Sequence, residues 1–194
     1  KGWYENGQLK YENNYKEGKE DGLSKRWYRN GQLKFENNYN DGKCDGLSKG
    51  WHENGQLYSE TNYKDGKMEG SSKYWYKTGQ LWSSGVYKNG KRFGPLISYY
   101  QNGQLKSETN FKDGKEDGLS KRWYENGQLL IKQNMKTGNY FGLKREWHEN
   151  GKLKSKVKYK DGEKEGNGKY YNENGKLTKK ETYKEGELIK TKIF

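Results

Sequence analysis

Residues Trp27–Gly46 read WYRNGQLKFENNYNDGKCDG. Two turn dipeptides, Asn30-Gly31 and Asp41-Gly42, flank a run in which Leu33, Phe35 and Tyr39 fall on alternate positions. Asn-Gly and Asp-Gly beside alternating residues mark antiparallel hairpins, because glycine accepts the positive φ that such turns require. The same string recurs without insertion along the whole chain. Its first glycine returns as Gly7, Gly31, Gly55, Gly79, Gly103, Gly127, Gly151 and Gly175, every step being 24 residues. Leucine follows two places later each time, and Trp or Tyr stands four places before. A second glycine series begins Gly18, Gly42, Gly66, and a third begins Gly22, Gly46, Gly70. A fixed period of this kind is the signature of a repeat array.

Hydrophobic residues make up 28% of the 194 residues and charged ones 34%, a balance that by itself fits disorder. The strict period and the 15% aromatics, with 18 Tyr and 7 Trp, oppose that reading. The chain lacks the aliphatic stock for a thick core, so it must bury aromatic surface in a thin structure. The expected architecture is all-β: an elongated single-layer antiparallel β-meander solenoid of eight 24-residue β-hairpin repeats. Residues 1–194 read as one continuous array that opens in mid-repeat at Lys1.

Side-chain parity then selects a register. Three-residue loops at both glycine turns set Trp27 opposite Leu33, Tyr39 opposite Lys43 and Phe35 opposite Leu47. Every odd-numbered strand residue would then lie on one face, sealed by Trp, Tyr and Leu, with Lys, Glu and Ser on the other.

The unit W-Y-x-N-G-x-L-K-x-E-x-x-Y-K-D-G-K-x-D-G, best seen from Trp27 to Gly46 and from Trp123 to Gly142, resembles the MORN-repeat variant found in bacterial YwqK-type antitoxins. The resemblance spans essentially the whole chain. It implies single-sheet scaffolds acting in protein interaction, as immunity or antitoxin partners or at the cell surface, and it brings no catalytic residues. Choline-type cell-wall-binding repeats, with their G-W-x-x-x-N-G pattern as at Gly2–Gly7, are a second, less similar family.

The residues themselves point away from catalysis. His52 and His148 occupy a slot held elsewhere by Tyr28, Tyr76 and Tyr124, four repeats apart, so they do not share a metal or proton relay. Cys44 is the lone cysteine and excludes an internal disulfide. No cofactor or metal site is read, and the chain is expected not to be an enzyme.

The informative positions are those that break the repeat. The slot of Lys10 and Lys34 becomes Tyr58, Trp82 and Leu130, that of Arg26 becomes Tyr74, and that of Ser48 becomes Leu96. In the chosen register Tyr74 pairs with Trp82 and Trp82 with Leu96, with Tyr76, Val86 and Tyr100 flanking them. These six residues form the candidate partner-binding site, because clustered exposed aromatics mark interaction surfaces. A local minicore and a dimer contact are the structural alternatives. Phe93 and Phe141 fall on the odd face, where packing is expected.

The formal net charge is +13. Residues 127–194 hold 17 Lys or Arg against 9 Asp or Glu, a net of +8, which leaves +5 for the first 126. Three partner classes follow. A protein, such as a toxin or a host surface protein, is the leading one. An anionic lipid or glycan, bound through the basic C-terminal repeats, is the alternative, with a solvated lysine face as its bland counterpart. Nucleic acid is disfavoured by the Glu present in most repeats. A secreted or cell-surface bacterial location fits slightly better than the cytoplasm.

Overall fold

A computed structural model of the chain describes residues 1–194. The chain is all-β and falls into two compact units, Lys1–Phe93 and Gly94–Phe194. Each is an antiparallel meander in which sequence neighbours are ladder neighbours. In the first unit Leu9–Glu12, Gly22–Trp27, Leu33–Asn40, Gly46–Trp51, Leu57–Lys64, Lys67–Trp75 and Leu81–Lys88 pair in succession. In the second, pairing runs from Gly94–Tyr99 through Leu105–Lys112, Lys115–Trp123, Leu129–Lys136, Asn139–Trp147, Leu153–Lys160, Gly166–Tyr171 and Leu177–Lys184 to Glu187–Ile193.

The Asn-Gly turn holds its expected geometry. Trp27 opposes Leu33, Gly31 takes φ 83°, and its N–H donates to the Tyr28 carbonyl at 3.0 Å. The Asp-Gly turn corrects the sequence reading. Tyr39 opposes Cys44, not Lys43, and Asn40 opposes Lys43, which leaves a loop of Asp41 and Gly42 alone. Both have positive φ, 48° and 77°, the backbone of a two-residue hairpin whose twist matches the strands.

The register within the strands is also corrected. Phe35 opposes Gly50 and Arg26, not Leu47. Two irregularities in each repeat account for this. One lies at Arg26/Trp27, where Arg26 opposes Phe35 and Trp27 opposes Leu33, leaving Lys34 as an extra residue. The other surrounds the third glycine, where the ladder breaks between Cys44 and Lys49 and Gly46 takes φ 100°. The single extra residue at Lys34 shifts side-chain parity, as does the two-residue Asp-Gly loop, whereas the two extra residues around Gly46 displace the register without changing parity. An all-odd face therefore does not exist.

What lies buried is polar. One row crosses the strands through Asn13, Ser24, Asn37, Ser48, Thr61 and Ser72, and Ser72 is only 1% exposed. The hydroxyls satisfy one another or an amide: Ser24 donates to Asn13 at 3.0 Å, Ser48 to Asn37 at 2.6 Å, and Thr61 and Ser72 meet at 2.8 Å. Thr109 and Ser120 repeat the pair at 3.1 Å in the second unit. A face sealed by Trp, Tyr and Leu was expected; the only large apolar side chains that count as buried are Val157 and Tyr183. A ring covers one glycine closely: a Cβ on Gly50 would stand 3.1 Å from the Phe35 ring.

Ties recur at the repeat interval. The Tyr28 hydroxyl donates to the Trp51 carbonyl at 2.8 Å and Asn30 Nδ2 to the Glu53 carbonyl at 2.9 Å. Near the other turn, the Asp65 N–H donates to Asp45 Oδ2 at 3.0 Å and the Gly66 N–H to the Cys44 carbonyl at 2.9 Å. Equivalent bonds run through the second unit, as from Tyr124 to Trp147 at 2.9 Å and from Asn126 to Glu149 at 3.0 Å. Each repeat thus satisfies backbone groups of the next, as neighbour coupling in a solenoid requires.

Candidate protein-binding surface

The bulge near the Asn-Gly turn builds the most distinctive surface of the first unit. The bulged slot ordinarily holds lysine, whose ammonium caps the turn tyrosine: Lys10 lies 5.6 Å from the Tyr4 ring centroid and Lys34 lies 5.1 Å from that of Tyr28. Lys34 also stands 5.8 Å from the Phe35 ring, so the extra residue projects to the same side as its successor. In the third and fourth repeats the slot holds Tyr58 and Trp82. The cation–π contacts become ring–ring contacts.

Four of these link five rings into a row. His52 meets Tyr58 at 5.1 Å, Tyr58 meets Tyr74 at 6.0 Å, and Tyr74 meets Trp82 at 6.1 Å, all edge-to-face. Tyr76 meets Trp82 at 6.2 Å in a tilted pair. Edge-to-face aromatic pairs contribute about 0.5–1.5 kcal/mol each beyond area burial. Tyr74 opposes Ser59 on one side and Ser83 on the other, so only small side chains stand directly beside it. Trp82 remains 41% exposed and Tyr58 36%.

Of the six residues singled out from the sequence, the structure brings Tyr74, Tyr76 and Trp82 together. The pairing expected between Tyr74 and Trp82 is replaced by Tyr74 opposite Ser83; the rings meet because Trp82 is the bulged residue. Val86 opposes Ser71 and, by alternation from Ser83, points to the opposite face. In the second unit Leu96 opposes Thr109, and Tyr100 donates to the Trp123 carbonyl at 2.8 Å beneath Lys106. Two members of the row were missed, Tyr58 and His52. The signal was present, since Tyr58 occupies the same deviant slot as Trp82.

Phe141 opposes Asn134 and is exposed, with Lys136 5.7 Å from its ring, so it does not pack inward as expected; Phe93 is likewise exposed under Lys88. The histidines behave as tyrosine substitutes: His52 Nε2 lies 3.1 Å from the Trp75 carbonyl and His148 Nε2 lies 2.9 Å from that of Tyr171. Burial, with Asp45 nearby, pushes the Cys44 thiol up.

A second cluster closes the chain. Glu181, 8% exposed, accepts from Lys179 at 2.8 Å and from the Tyr183 hydroxyl. Tyr183 in turn accepts from Lys164 at 3.0 Å and meets the Tyr170 hydroxyl at 3.3 Å. Burial opposes ionisation of Glu181, but the hydrogen bonds and the Lys179 charge prevail and hold its carboxyl down to about 2. Burial and the Tyr183 and Glu181 hydrogen bonds raise the Tyr170 phenol.

No group of three or more His, Cys, Asp or Glu is placed to hold a metal ion. No curated protein matches the chain. The sequence pattern of the MORN repeat variant matches eight times in succession, at residues 1–17, 20–41, 45–65, 68–89, 94–113, 116–137, 142–161 and 164–185. MORN repeats are non-catalytic scaffolds that generally bind proteins or membranes. With the pattern covering most of both units, the chain belongs to the MORN repeat variant family.

Proposed function

We propose that the chain is a non-catalytic scaffold that binds another protein through the aromatic row of its first unit, with Tyr58, Tyr74, Tyr76 and Trp82 as anchors. A toxin held by an antitoxin or immunity protein, or a ligand of a cell-surface module, fits this reading. Its main support is the edge-to-face chain of rings raised on two successive bulges, with Trp82 41% exposed. Tyr and Trp anchors held rigid before contact lose little entropy on binding, and such residues dominate interface energetics. Tyr58 and Trp82 occupy a slot that is Lys10 and Lys34 in the first repeats, and Tyr74 one that is Arg26 or Gly50, so the fold itself does not need rings there.

The test is the double variant Tyr74→Lys with Trp82→Lys. The expected result is a folded chain, by circular dichroism, that no longer crosslinks to the partner captured by the unaltered protein in its native cell. Retention of that partner by the folded variant overturns the assignment. Failure of the variant to fold, with the milder Trp82→Ala costing more than about 3 kcal/mol, assigns the row to the core instead.

A further inference from the structure

On the face opposite the buried row most strands place one charged residue in a cross-strand row, Ser84 and Ile97 being the neutral members, and the two units fill that row differently. In the first unit the cross-strand order is Glu12, Lys25, Glu36, Lys49, Glu60, Lys73, each directly opposite the next. Lys25 reaches Glu36 at 3.0 Å and Lys49 reaches Glu60 at 3.9 Å. In the second unit Ile97 opposes Glu108, Glu108 pairs with Lys121 at 3.5 Å, and then acid disappears. Lys121 opposes Lys132, Lys132 opposes Arg145, Arg145 opposes Lys156, Lys156 opposes Lys169, Lys169 opposes Lys180, and Lys180 opposes Lys192. From Lys132 onward none has an ion-pair partner.

Like charges directly opposite on adjacent strands destabilise a sheet. The alternating order of the first unit demonstrates that the repeat folds without such a file, and alternation also keeps a face charged and soluble. The unbroken file therefore answers to something outside the fold. We propose that it binds a linear, base-free polyphosphate chain laid across the strands. Strand spacing puts one cation roughly every 4.8 Å, about 24 Å from Lys132 to Lys192. Five of the six are lysines, point charges suited to tracking a phosphate backbone without the fork geometry that favours carboxylates. The charges stand in single file, the track of a polymer, and the one ring beside them, Phe194, lies only at its end, 5.2 Å from Lys180 and 4.8 Å from Lys192, where a single platform cannot stack a run of bases.

The probe is long-chain inorganic polyphosphate, titrated against the full-length labelled chain by fluorescence anisotropy. Affinity is expected to fall about 100-fold between 50 and 200 mM salt, as release of roughly five counterions requires, and tripolyphosphate should bind far more weakly than the long chain. The variant Lys132→Glu, Lys156→Glu, Lys180→Glu recreates the alternation of the first unit. It is expected to raise the unfolding midpoint while weakening polyphosphate binding at least about 100-fold. A control with the same change of net charge, Lys16→Glu, Lys64→Glu, Lys77→Glu, should keep affinity within about threefold apart from general charge effects. Should the first variant not fold, Lys156→Gln and Lys169→Gln serve in its place, each weakening binding several-fold.

Binding unchanged in the folded triple variant overturns the proposal, as does equal loss in the control. Absence of binding at low salt, or equal affinity for tripolyphosphate, does so too. Tighter binding per charge to phosphatidylserine vesicles or to oligothymidylate transfers the file to a membrane or a nucleic acid, and equally ends the polyphosphate assignment. None of these results bears on the aromatic row.

Discussion

The inward row of the first unit is neutral, and that of the second carries charge at Lys144 and Glu181. Between Asn13 and Ser72 it holds hydroxyls and amides that satisfy one another in pairs. In the second unit Leu96 stands opposite Thr109, which pairs with Ser120 in the same way, but the later positions are Gln133, Lys144, Val157, Gly168 and Glu181. Lys144 finds Glu146 at 2.7 Å, and Ser155 donates to that same carboxylate at 3.0 Å. The difference teaches that the repeat fixes a small, satisfied slot and not a residue type. A neutral pair meets the requirement locally, while a charge meets it only by recruiting neighbours from several strands. A charged solution is accordingly easier to break.

Replacing the buried carboxylate should have the largest effect. Glu181→Ala leaves Lys179 and the Tyr183 hydroxyl without their acceptor and is expected to cost about 2–3 kcal/mol in the last repeat. Ser72→Ala should cost only about 1 kcal/mol, because one neutral hydrogen bond is lost. Hydrogen exchange of the strands Leu177–Lys184 and Lys67–Trp75 measures both, and equal costs would erase the contrast.

Acid should separate the same two places. The Glu181 carboxyl is held at about 2 against an ordinary 4.5. A lowered folded value contributes stability that is present above the ordinary range and is lost as pH falls towards 2. Exchange protection of Leu177–Lys184 should decline on acidification from pH 5 to 2, while the Thr61–Ser72 pair, having no titrating group, should hold. Loss of both together would place the acid sensitivity elsewhere.

Enlarging the neutral slot should cost less than deleting the carboxylate. Ser72→Leu is expected to destabilise by about 1–2 kcal/mol through overpacking of a site 1% exposed. Tyr124→Phe should cost about 1 kcal/mol, since it removes the bond to the Trp147 carbonyl and leaves the ring in place. In urea titrations Trp82→Ala should have the smallest effect, below about 1 kcal/mol, because the indole is already 41% exposed.

The period, the hairpins and the placement of strands were legible in the sequence because turns are local: Asn30-Gly31 and Asp41-Gly42 specify their own backbone. Register was not legible. Parity carries across a strand only if no residue is inserted, and the bulges at Lys34 and near Gly46 depend on how adjacent strands meet. Phe35 and Gly50, or Tyr74 and Ser83, are therefore paired by geometry that no single stretch contains. The same blind spot governed the candidate site. Tyr74, Tyr76 and Trp82 were readable as departures from consensus, whereas the membership of Tyr58 and the exclusion of Val86 follow from the bulge. The continuous cation file was invisible for the same reason, since under the parity assumed from sequence Arg145 and Lys156 do not oppose one another.

The bonds that join Tyr28 to Trp51 and Asn30 to Glu53 each cross a single repeat boundary. Excising or duplicating one 24-residue block inside a unit therefore rejoins a donor to an acceptor of the same kind, with no polar group orphaned. An insertion of any other length misaligns every such bond at its boundary. Recombination among the copies is thus confined to whole registers, and the number of repeats becomes a heritable quantity that changes in steps. A lineage can lengthen or shorten the array in this way without redesigning the fold.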